Sequence, residues 1–162
     1  MVSSQPAKIC PALWYVKEAE EAARFYTSIF PDSKIEHVTR ITSGPGEAAH
    51  TVTVVDFTLF GQRFQAMSAG PHHEFNDAIS IVVLCEDQAE LDRYWYALLE
   101  GGCREQACGW LIDRFGVRWQ ILPRIFEEMV RDRNPDRVQR VFAALLQMVK
   151  IDIAALEAAY NS

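Results

Sequence analysis

Residues 60–65, Phe-Gly-Gln-Arg-Phe-Gln, recur 55 positions later as Phe-Gly-Val-Arg-Trp-Gln at 115–120. A second pair, Glu-Ala-Ala-Arg-Phe-Tyr at 21–26 and Glu-Leu-Asp-Arg-Tyr-Trp at 90–95, lies 69 positions apart (21 to 90) in the same order. Two features repeated in one order indicate that a strand-and-helix unit has been duplicated. Because the offsets differ, the second copy is shorter between its helix and its last strand. We therefore expect two similar half-sites.

Composition excludes several classes of partner. The chain has 162 residues and a formal net charge of −6, which argues against nucleic acid and anionic membranes, because both require a basic face. No apolar stretch approaches the roughly 20 residues of a spanning helix, and residues 1–6 do not resemble a signal peptide. We therefore expect a cytoplasmic protein. Its four cysteines form no C-x-x-C motif, and we expect reduced thiols, with Cys10 and Cys85 in the core.

The first copy is predicted to hold one helix and four strands. Apolar and aromatic residues predict a short buried strand over 9–16. Apolar residues at helical spacing, with acidic residues in the first turn, predict a helix over 17–30. Further strands are predicted over 34–42, 50–60 and 62–68, with a turn at 43–46 and a hairpin at Gly61.

The second copy repeats this order. The pattern predicts a strand over 79–85, and a helix over 88–99 that begins at an Asp87 N-cap. A short strand over 103–107 and a hairpin of 109–115 with 117–122 around Gly116 complete it.

A helical tail without a counterpart in the first copy follows Pro123. Residues 124–131 are predicted to be helical, and Asn134-Pro135 is typical of a helix start. That helix is predicted to run to about Lys150, and a last helix follows Asp152. The chain thus divides into a first module (8–70), a second module (76–123) and a C-terminal helical extension (124–162).

Strand alternation predicts which way the repeated residues point. Side chains of a strand alternate between its faces, so Gln65 and Gln120 oppose Phe64 and Trp119. The aromatic side chains suit packing against a helix, which leaves the glutamines on the other face. Two uncharged amides could orient a polar or planar ligand. They could equally bond only each other or the backbone.

The two repeated arginines allow two interpretations. Arg63 and Arg118 could hold an anion at the rim of a site. The alternative is a salt bridge to Asp56 or Asp113, or simple solvation, which is the commoner fate of surface arginines.

These residues resemble the vicinal oxygen chelate superfamily, and within it the PhnB-like branch, often named 3-demethylubiquinone-9 3-methyltransferase-like. The resemblance extends from about residue 8 to residue 160. It rests on segments spread over both copies and the tail: 19–22, 25–26, 30–33, 76–80, 108–111, 115–121 and 150–156. It implies an α+β protein of paired βαβββ modules, the glyoxalase/bleomycin-resistance fold, with a C-terminal helical extension here. It also implies a cup enclosed by the two modules, and a homodimer.

Metal-using members of the superfamily place four ligands, usually His and Glu and sometimes Gln, on the first and last strands of each module. Aligned by the repeats, these positions are Pro11, Gln65, Ser80 and Gln120 in this chain. Proline, serine and two amides offer no anionic or imidazole donor, so a divalent cation would not leave water for them. We therefore expect no metal and no cofactor.

The resemblance and the alternation together give a set of expected cup-lining residues: Pro11, Leu13, Gln65, Met67, Phe75, Ser80, Cys108, Trp110 and Gln120. Trp14 and Trp119 are further candidates for stacking on a planar ligand, although core packing is the commoner role of any one aromatic residue. His72 and His73, in the segment between the copies, are weak candidates for proton transfer.

The sequence leaves three functions open, and in none of them does it assign a catalytic residue. The first is a metal-free protein that binds an unidentified small molecule in the cup. The second is a lyase, isomerase or dioxygenase of the same superfamily that uses a relocated metal or an acid/base pair. The third is an interaction module assembled through its tail. Methyl transfer lacks support, because no glycine-rich turn follows the first strand.

Overall fold

The computed structural model describes residues 8–43 and 50–162. The turn predicted at 43–46 and the N-terminal segment examined for a signal peptide fall wholly or partly outside these residues. The chain forms two compact units, Met1–Phe75 and Asn76–Ser162. In the part of the chain that is described, no helix combines the length and the apolar character that a membrane crossing requires.

The first unit is a four-stranded sheet with one helix against it. Its sheet has the order β1-β4-β3-β2, in which β1 pairs with β4 in parallel and the other pairs are antiparallel. Its elements are β1 (Ala12–Tyr15), α1 (Ala19–Ile29), β2 (Lys34–Ser43), β3 (His50–Leu59) and β4 (Gln62–Ser68).

One face of this sheet is buried by α1. The helix contributes alanines and Tyr26, all fully buried, and the Tyr26 ring lies 6.4 Å from that of Phe57. The start of the helix is fixed by a buried hydroxyl, because the Ala19 N–H donates to Ser68 Oγ at 2.9 Å. This bond satisfies one of the amides that a helix leaves unpaired at its N-terminus.

The second unit repeats the arrangement and adds the tail. Its sheet has the order β5-β8-β7-β6, again with one parallel pair, β5 with β8. Its elements are β5 (Ile81–Cys85), α2 (Gln88–Leu98), β6 (Arg104–Glu105), β7 (Trp110–Ile112), β8 (Arg118–Pro123), α3 (Arg124–Met129), α4 (Pro135–Leu145) and α5 (Ile153–Asn161). Both sheets and their helices give the predicted α+β architecture.

Local signals placed the helix starts correctly. The Asp87 side chain accepts from the Glu90 N–H at 2.8 Å, and the Asn134 side chain accepts from the Asp136 N–H at 3.0 Å, with Pro135 in the first turn. Asp152 caps α5 in the same way. Capping of this kind typically contributes about 1 kcal/mol.

The predicted end of α4 was wrong by about five residues. The helix stops at Leu145, and the N–H groups of Gln147 and Met148 then bond to carbonyls three residues back, at 3.1 and 3.0 Å. The carbonyls of Met148 and Val149 bond to a neighbouring loop. They accept the N–H groups of Cys108 and Gly109, both at 2.8 Å. The predicted last turn is thus a tighter, 3₁₀-type turn, and the segment after it is bonded to the loop before β7.

Candidate functional site

The two repeated glutamines lie on the faces of the two sheets opposite α1 and α2, which we call the amide faces. In β4, Phe64, Ala66 and Ser68 are buried, whereas Arg63, Gln65 and Met67 are half-buried on the other side. In β8, Trp119 and Ile121 are buried and Gln120 is half-buried. The alternation therefore places both glutamines opposite the helices, as the sequence predicted.

Asp56 is the central group of the first amide face. It lies on β3 directly opposite Gln65. Its Oδ1 accepts from Arg63 Nη2 at 2.8 Å and from Gln65 Nε2 at 3.4 Å. The Asp56 carboxylate, through this hydrogen bond, raises the pKa of Arg63, and Cys10 acts in the same direction. The salt bridge named as the alternative for Arg63 is thus the arrangement found.

Sequence reasoning treated Asp56 only as an ion-pair partner. The signal that could have placed it beside Gln65 was the hairpin itself. A hairpin around Gly61 pairs Asp56 with Gln65 across the strands, and directly opposed residues in antiparallel strands share a face.

The pairing of β1 with β4 moves two expected residues away from this face. Leu13 lies opposite Ala66, on the side of α1, and is only 9% exposed. Pro11 precedes the strand, and its carbonyl accepts the Gln65 N–H at 2.9 Å. Alternation places Pro11 on the same side as Leu13. We therefore correct both assignments.

The register shows why the repeats misplaced these residues. Ala12 and Val82 are the ladder partners of the two site glutamines. The first strands of the modules are thus offset by 70 positions (12 to 82), one more than the repeated helix segments. Two positions earlier in each strand stand Cys10 and Ser80, so Cys10, not Pro11, is the counterpart of Ser80.

Met67 and Trp14 extend the first amide face. Trp14 is the ladder partner of Met67, and its Nε1 donates to the Gly70 carbonyl at 2.9 Å. The His73 ring meets the Trp14 ring edge-on, with 5.0 Å between centroids, and the His72 ring lies at 6.2 Å. The two histidines therefore pack on an aromatic residue of this face.

Phe75 lies elsewhere. Its ring contacts that of Tyr15, with centroids 5.3 Å apart. Tyr15 is 3% exposed and shares the α1 side of β1 with Leu13. Phe75 is therefore not brought to Gln65 within the first unit.

Gln120 and Ser80 form the centre of the second amide face. Gln120 Nε2 donates to Ser80 Oγ at 2.7 Å. Gln120 is flanked in the sheet by Val82 on β5 and Trp110 on β7. Val82 is 49% exposed and Trp110 is half-buried. Three of the expected residues, Ser80, Trp110 and Gln120, are thus brought together.

Arg118 forms its ion pair with Asp77, an acid that sequence reasoning did not name. Its Nε donates to Asp77 Oδ1 at 2.8 Å and its Nη1 to the Gly116 carbonyl at 2.7 Å. Through that hydrogen bond Arg118 holds the pKa of Asp77 below its ordinary value. Asp77 thus stays ionised at neutral pH, and the two charges offset each other.

Asp113 and Trp119 belong to the core. Asp113 is 3% exposed and its carboxylate accepts the N–H groups of Phe115 and Val117, at 2.8 and 3.0 Å. Trp119, 1% exposed, donates its indole N–H to the same carboxylate at 2.8 Å. Trp119 is therefore a packing residue rather than a surface for stacking a ligand.

Cys108 lies in the turn before β7 and has a left-handed φ of 61°. Its N–H and that of Gly109 hold the tail by the two bonds to Met148 and Val149. This turn anchors the C-terminal extension to the second module, a role that the sequence did not indicate.

The donor set does not fit a divalent metal ion. By the corrected register, the groups at the family's ligand positions are the amides of Gln65 and Gln120, the hydroxyl of Ser80 and the thiol of Cys10. A single thiol does not complete a site that needs several imidazole, thiolate or carboxylate ligands. The nearby carboxylate of Asp56 is already paired with Arg63. No group of three or more His, Cys, Asp or Glu residues suited to a metal exists among residues 8–43 and 50–162.

Comparison with known proteins places the chain in a family. A family model described as 3-demethylubiquinone-9 3-methyltransferase matches residues 7–122. The chain belongs to this family, the PhnB-like branch of the vicinal oxygen chelate superfamily. The matched segment ends at the last strand of the second module, so the extension lies outside it. None of the curated proteins compared with the chain matches it.

Solved structures support the PhnB-like assignment and the fold. The PhnB protein of Bacillus cereus, described as a candidate 3-demethylubiquinone-9 3-methyltransferase, is 32% identical, with a TM-score of 0.61, over 72% of this chain and 99% of its own. Protein PA1353 of Pseudomonas aeruginosa is 21% identical, with a TM-score of 0.60, over 72% of this chain and 97% of its own. The fosfomycin resistance protein FosX of Listeria monocytogenes is 16% identical, with a TM-score of 0.56, over 82% of this chain and 100% of its own. The last two show the glyoxalase/bleomycin-resistance fold alone.

Proposed function

We propose that this PhnB-like protein binds a small organic molecule on its amide faces without the help of a metal ion. The observation that carries the proposal is the chemistry of the two central groups. Gln120 with Ser80, and Gln65 with Asp56, are half-buried hydrogen-bonded pairs set among apolar and aromatic side chains. A few convergent polar groups in a mostly apolar surface are typical of ligand sites.

The scarcity of strong metal donors at these positions, where Cys10 is the one candidate, supports the metal-free part of the proposal. Catalytic metal sites in proteins use imidazole, thiolate or carboxylate ligands. Here two amides, a hydroxyl and the single thiol of Cys10 occupy the positions, and Arg63 brings a positive charge to the nearby Asp56 carboxylate. Metal analysis of protein purified without chelator tests this part. Stoichiometric zinc, nickel, manganese or iron would overturn it.

A thermal-shift screen of neutral, anionic and cationic small molecules tests the binding itself. A ligand at 100 times its Kd stabilises a protein by about 2.7 kcal/mol. We expect Gln65→Leu to abolish the shift for a ligand of the first amide face, and Gln120→Leu to abolish it for a ligand of the second. It should persist in the control Gln62→Leu, because Gln62 is exposed and only donates to the neighbouring Arg63 carbonyl. A broad screen without any shift would contradict the proposal.

Methyl transfer, which the family description names, is not part of the proposal. The usual methyltransferase sheet holds its cofactor at a glycine-rich turn after the first strand. Here β1 leads through Val16, Lys17 and Glu18 directly into α1, and no glycine lies between them.

We also propose that the protein is a homodimer, as its resemblance implies. The exposed apolar residues of the tail support an association surface there, since Phe142 is 44% exposed and Leu146, one turn later, 65% exposed. Large exposed apolar patches often mark interaction sites. Sedimentation of the full chain measures the mass, and Leu146→Glu should lower it if the tail is responsible. A monomeric full chain would refute the proposal.

A further inference from the structure

The Gln120–Ser80 pair keeps unused hydrogen-bonding capacity. A primary amide offers two N–H donors and a carbonyl acceptor, and Gln120 spends one donor on Ser80 Oγ. Its carbonyl oxygen and its second N–H lie in one plane. Ser80 accepts this bond, so its own hydroxyl hydrogen can be donated outward. The pair thus presents two donors, the second Gln120 N–H and the Ser80 hydroxyl, and one acceptor, the Gln120 carbonyl oxygen.

The two ladder neighbours of Gln120 are apolar or aromatic. Trp110 and Val82 are the two ladder neighbours of Gln120, and neither is buried. An indole beside a polar edge allows a planar ligand to stack while its edge forms hydrogen bonds.

The charges nearby are already matched. Arg118, the strand neighbour of Gln120 on the same face, is 15% exposed and bound to Asp77 and to the Gly116 carbonyl. A carboxylate ligand along this edge would place an acceptor against the Gln120 carbonyl oxygen, and Arg118 already donates its Nε and Nη1 to other acceptors. A neutral ligand with its own adjacent N–H and C=O would satisfy both groups, because an unmatched polar group at such a site is costly.

We propose that the second amide face recognises neutral planar molecules that carry an amide or lactam edge, with Gln120 and Ser80 binding that edge and Trp110 stacking on the ring. This inference rests on the proposed function and names its ligand class. It assigns recognition, and not only folding, to the Gln120 side chain.

The test compares two probes of nearly equal shape, benzamide and benzoate, with 2-pyridone as a lactam. Full-length protein labelled with ¹⁵N is titrated, and the Gln120 side-chain amide and the Trp110 indole N–H are followed by NMR. We expect benzamide and 2-pyridone to shift both signals, and benzamide to bind at least about tenfold more tightly than benzoate. Gln120→Glu should abolish that preference, and Gln62→Glu, the matched change at an exposed strand residue, should leave it intact.

Two results would overturn the inference. One is equal affinity for benzamide and benzoate. The other is a Gln120 amide signal that no neutral probe moves at millimolar concentration. The thermal-shift screen separates this failure from that of the proposed function. If anionic or cationic compounds stabilise the protein while the Gln120 signal stays fixed, only the ligand class is wrong. If nothing stabilises it, both proposals fail.

Discussion

Asp113 shows how one buried carboxylate can organise a turn. It accepts two backbone N–H groups and the Trp119 indole N–H while almost fully buried. Removing it leaves three donors without that partner, and each buried unsatisfied group costs about 1–3 kcal/mol. We expect Asp113→Ala to lower the free energy of unfolding by about 3 kcal/mol or more, measured by urea titration. Glu157→Ala, at an exposed position, is the control and should change it little.

The cysteines differ in their environment more than the sequence suggested. Both Cys10 and Cys85 were expected in the core, but only Cys85 is buried, and Cys10 is half-buried near Arg63. Burial raises the pKa of the Cys85 thiol to about 12. Since the thiolate is the reactive form, Cys85 should resist iodoacetamide at pH 8 in the folded protein. Cys10 should be alkylated much faster. Mass spectrometry of timed samples measures both rates, and comparable rates would contradict the assignment.

At the scale of elements, Gly109 joins β7, β8 and the tail. Its φ is +79°, and a Cβ there would lie 2.9 Å from the Ile121 carbonyl oxygen and 3.0 Å from Ile151 Cγ1. Gly61 has a similar φ of +74° but no atom within 4 Å of such a Cβ. Gly61→Ala should therefore lower the free energy of unfolding only by the strain of an alanine in the left-handed region, about 1–2 kcal/mol.

Gly109→Ala should lower the free energy of unfolding by the same strain and, because the methyl group overlaps its neighbours, by about 1–3 kcal/mol more. Urea unfolding of both variants measures the difference. Near-equal losses would show that the tail shifts to accommodate the methyl group, and that the turn does not fix it as tightly as the two hydrogen bonds from Cys108 and Gly109 imply.

The elements also show what periodicity can and cannot predict. Alternation predicted the faces of β4 and β8, because each has buried and half-buried residues in strict alternation. It could not fix the register of β1 against β4. A change of one residue moves every side chain to the other face, and β1 is only four residues long. Leu13 in β1 and Pro11 just before it were therefore assigned to the wrong side.

At the scale of the whole molecule, duplication was the most reliable signal. Repeated segments predicted two modules of one design, and both sheets have the same strand order with one parallel pair each. The tail has no internal copy, so the sequence predicted its helices but not its attachment. That attachment depends on backbone groups of Cys108 and Gly109 and on Gln88, whose Oε1 accepts the Ile153 N–H at 2.9 Å. Nearly every residue carries the same backbone N–H and C=O groups, so the residue types do not reveal which of them form such bonds.

Stability should fall in acid because carboxylates in both units have lowered pKa values. A hydrogen bond from Arg24 lowers the pKa of Glu20, and one from Lys150 lowers the pKa of Asp92. Hydrogen bonds from Arg118 and from Tyr160 lower the pKa values of Asp77 and Asp132 in the same way. At a pH near 4 the unfolded chain therefore binds more protons than the folded one, and the folded state loses stability as the pH falls further.

The urea midpoint should accordingly stay nearly constant from pH 7 to about pH 5 and fall steeply below about pH 4. Asp92→Asn should make that fall shallower, because it removes one carboxylate whose pKa folding lowers. The hydrogen bond to Asp92 also raises the pKa of Lys150. The stability that Lys150 contributes is therefore present at neutral pH and is lost only as the pH rises through its folded-state pKa. High salt should weaken both effects, since these ion pairs are partly exposed. A midpoint that rises on acidification would show that repulsion among the excess carboxylates of this acidic chain outweighs its ion pairs.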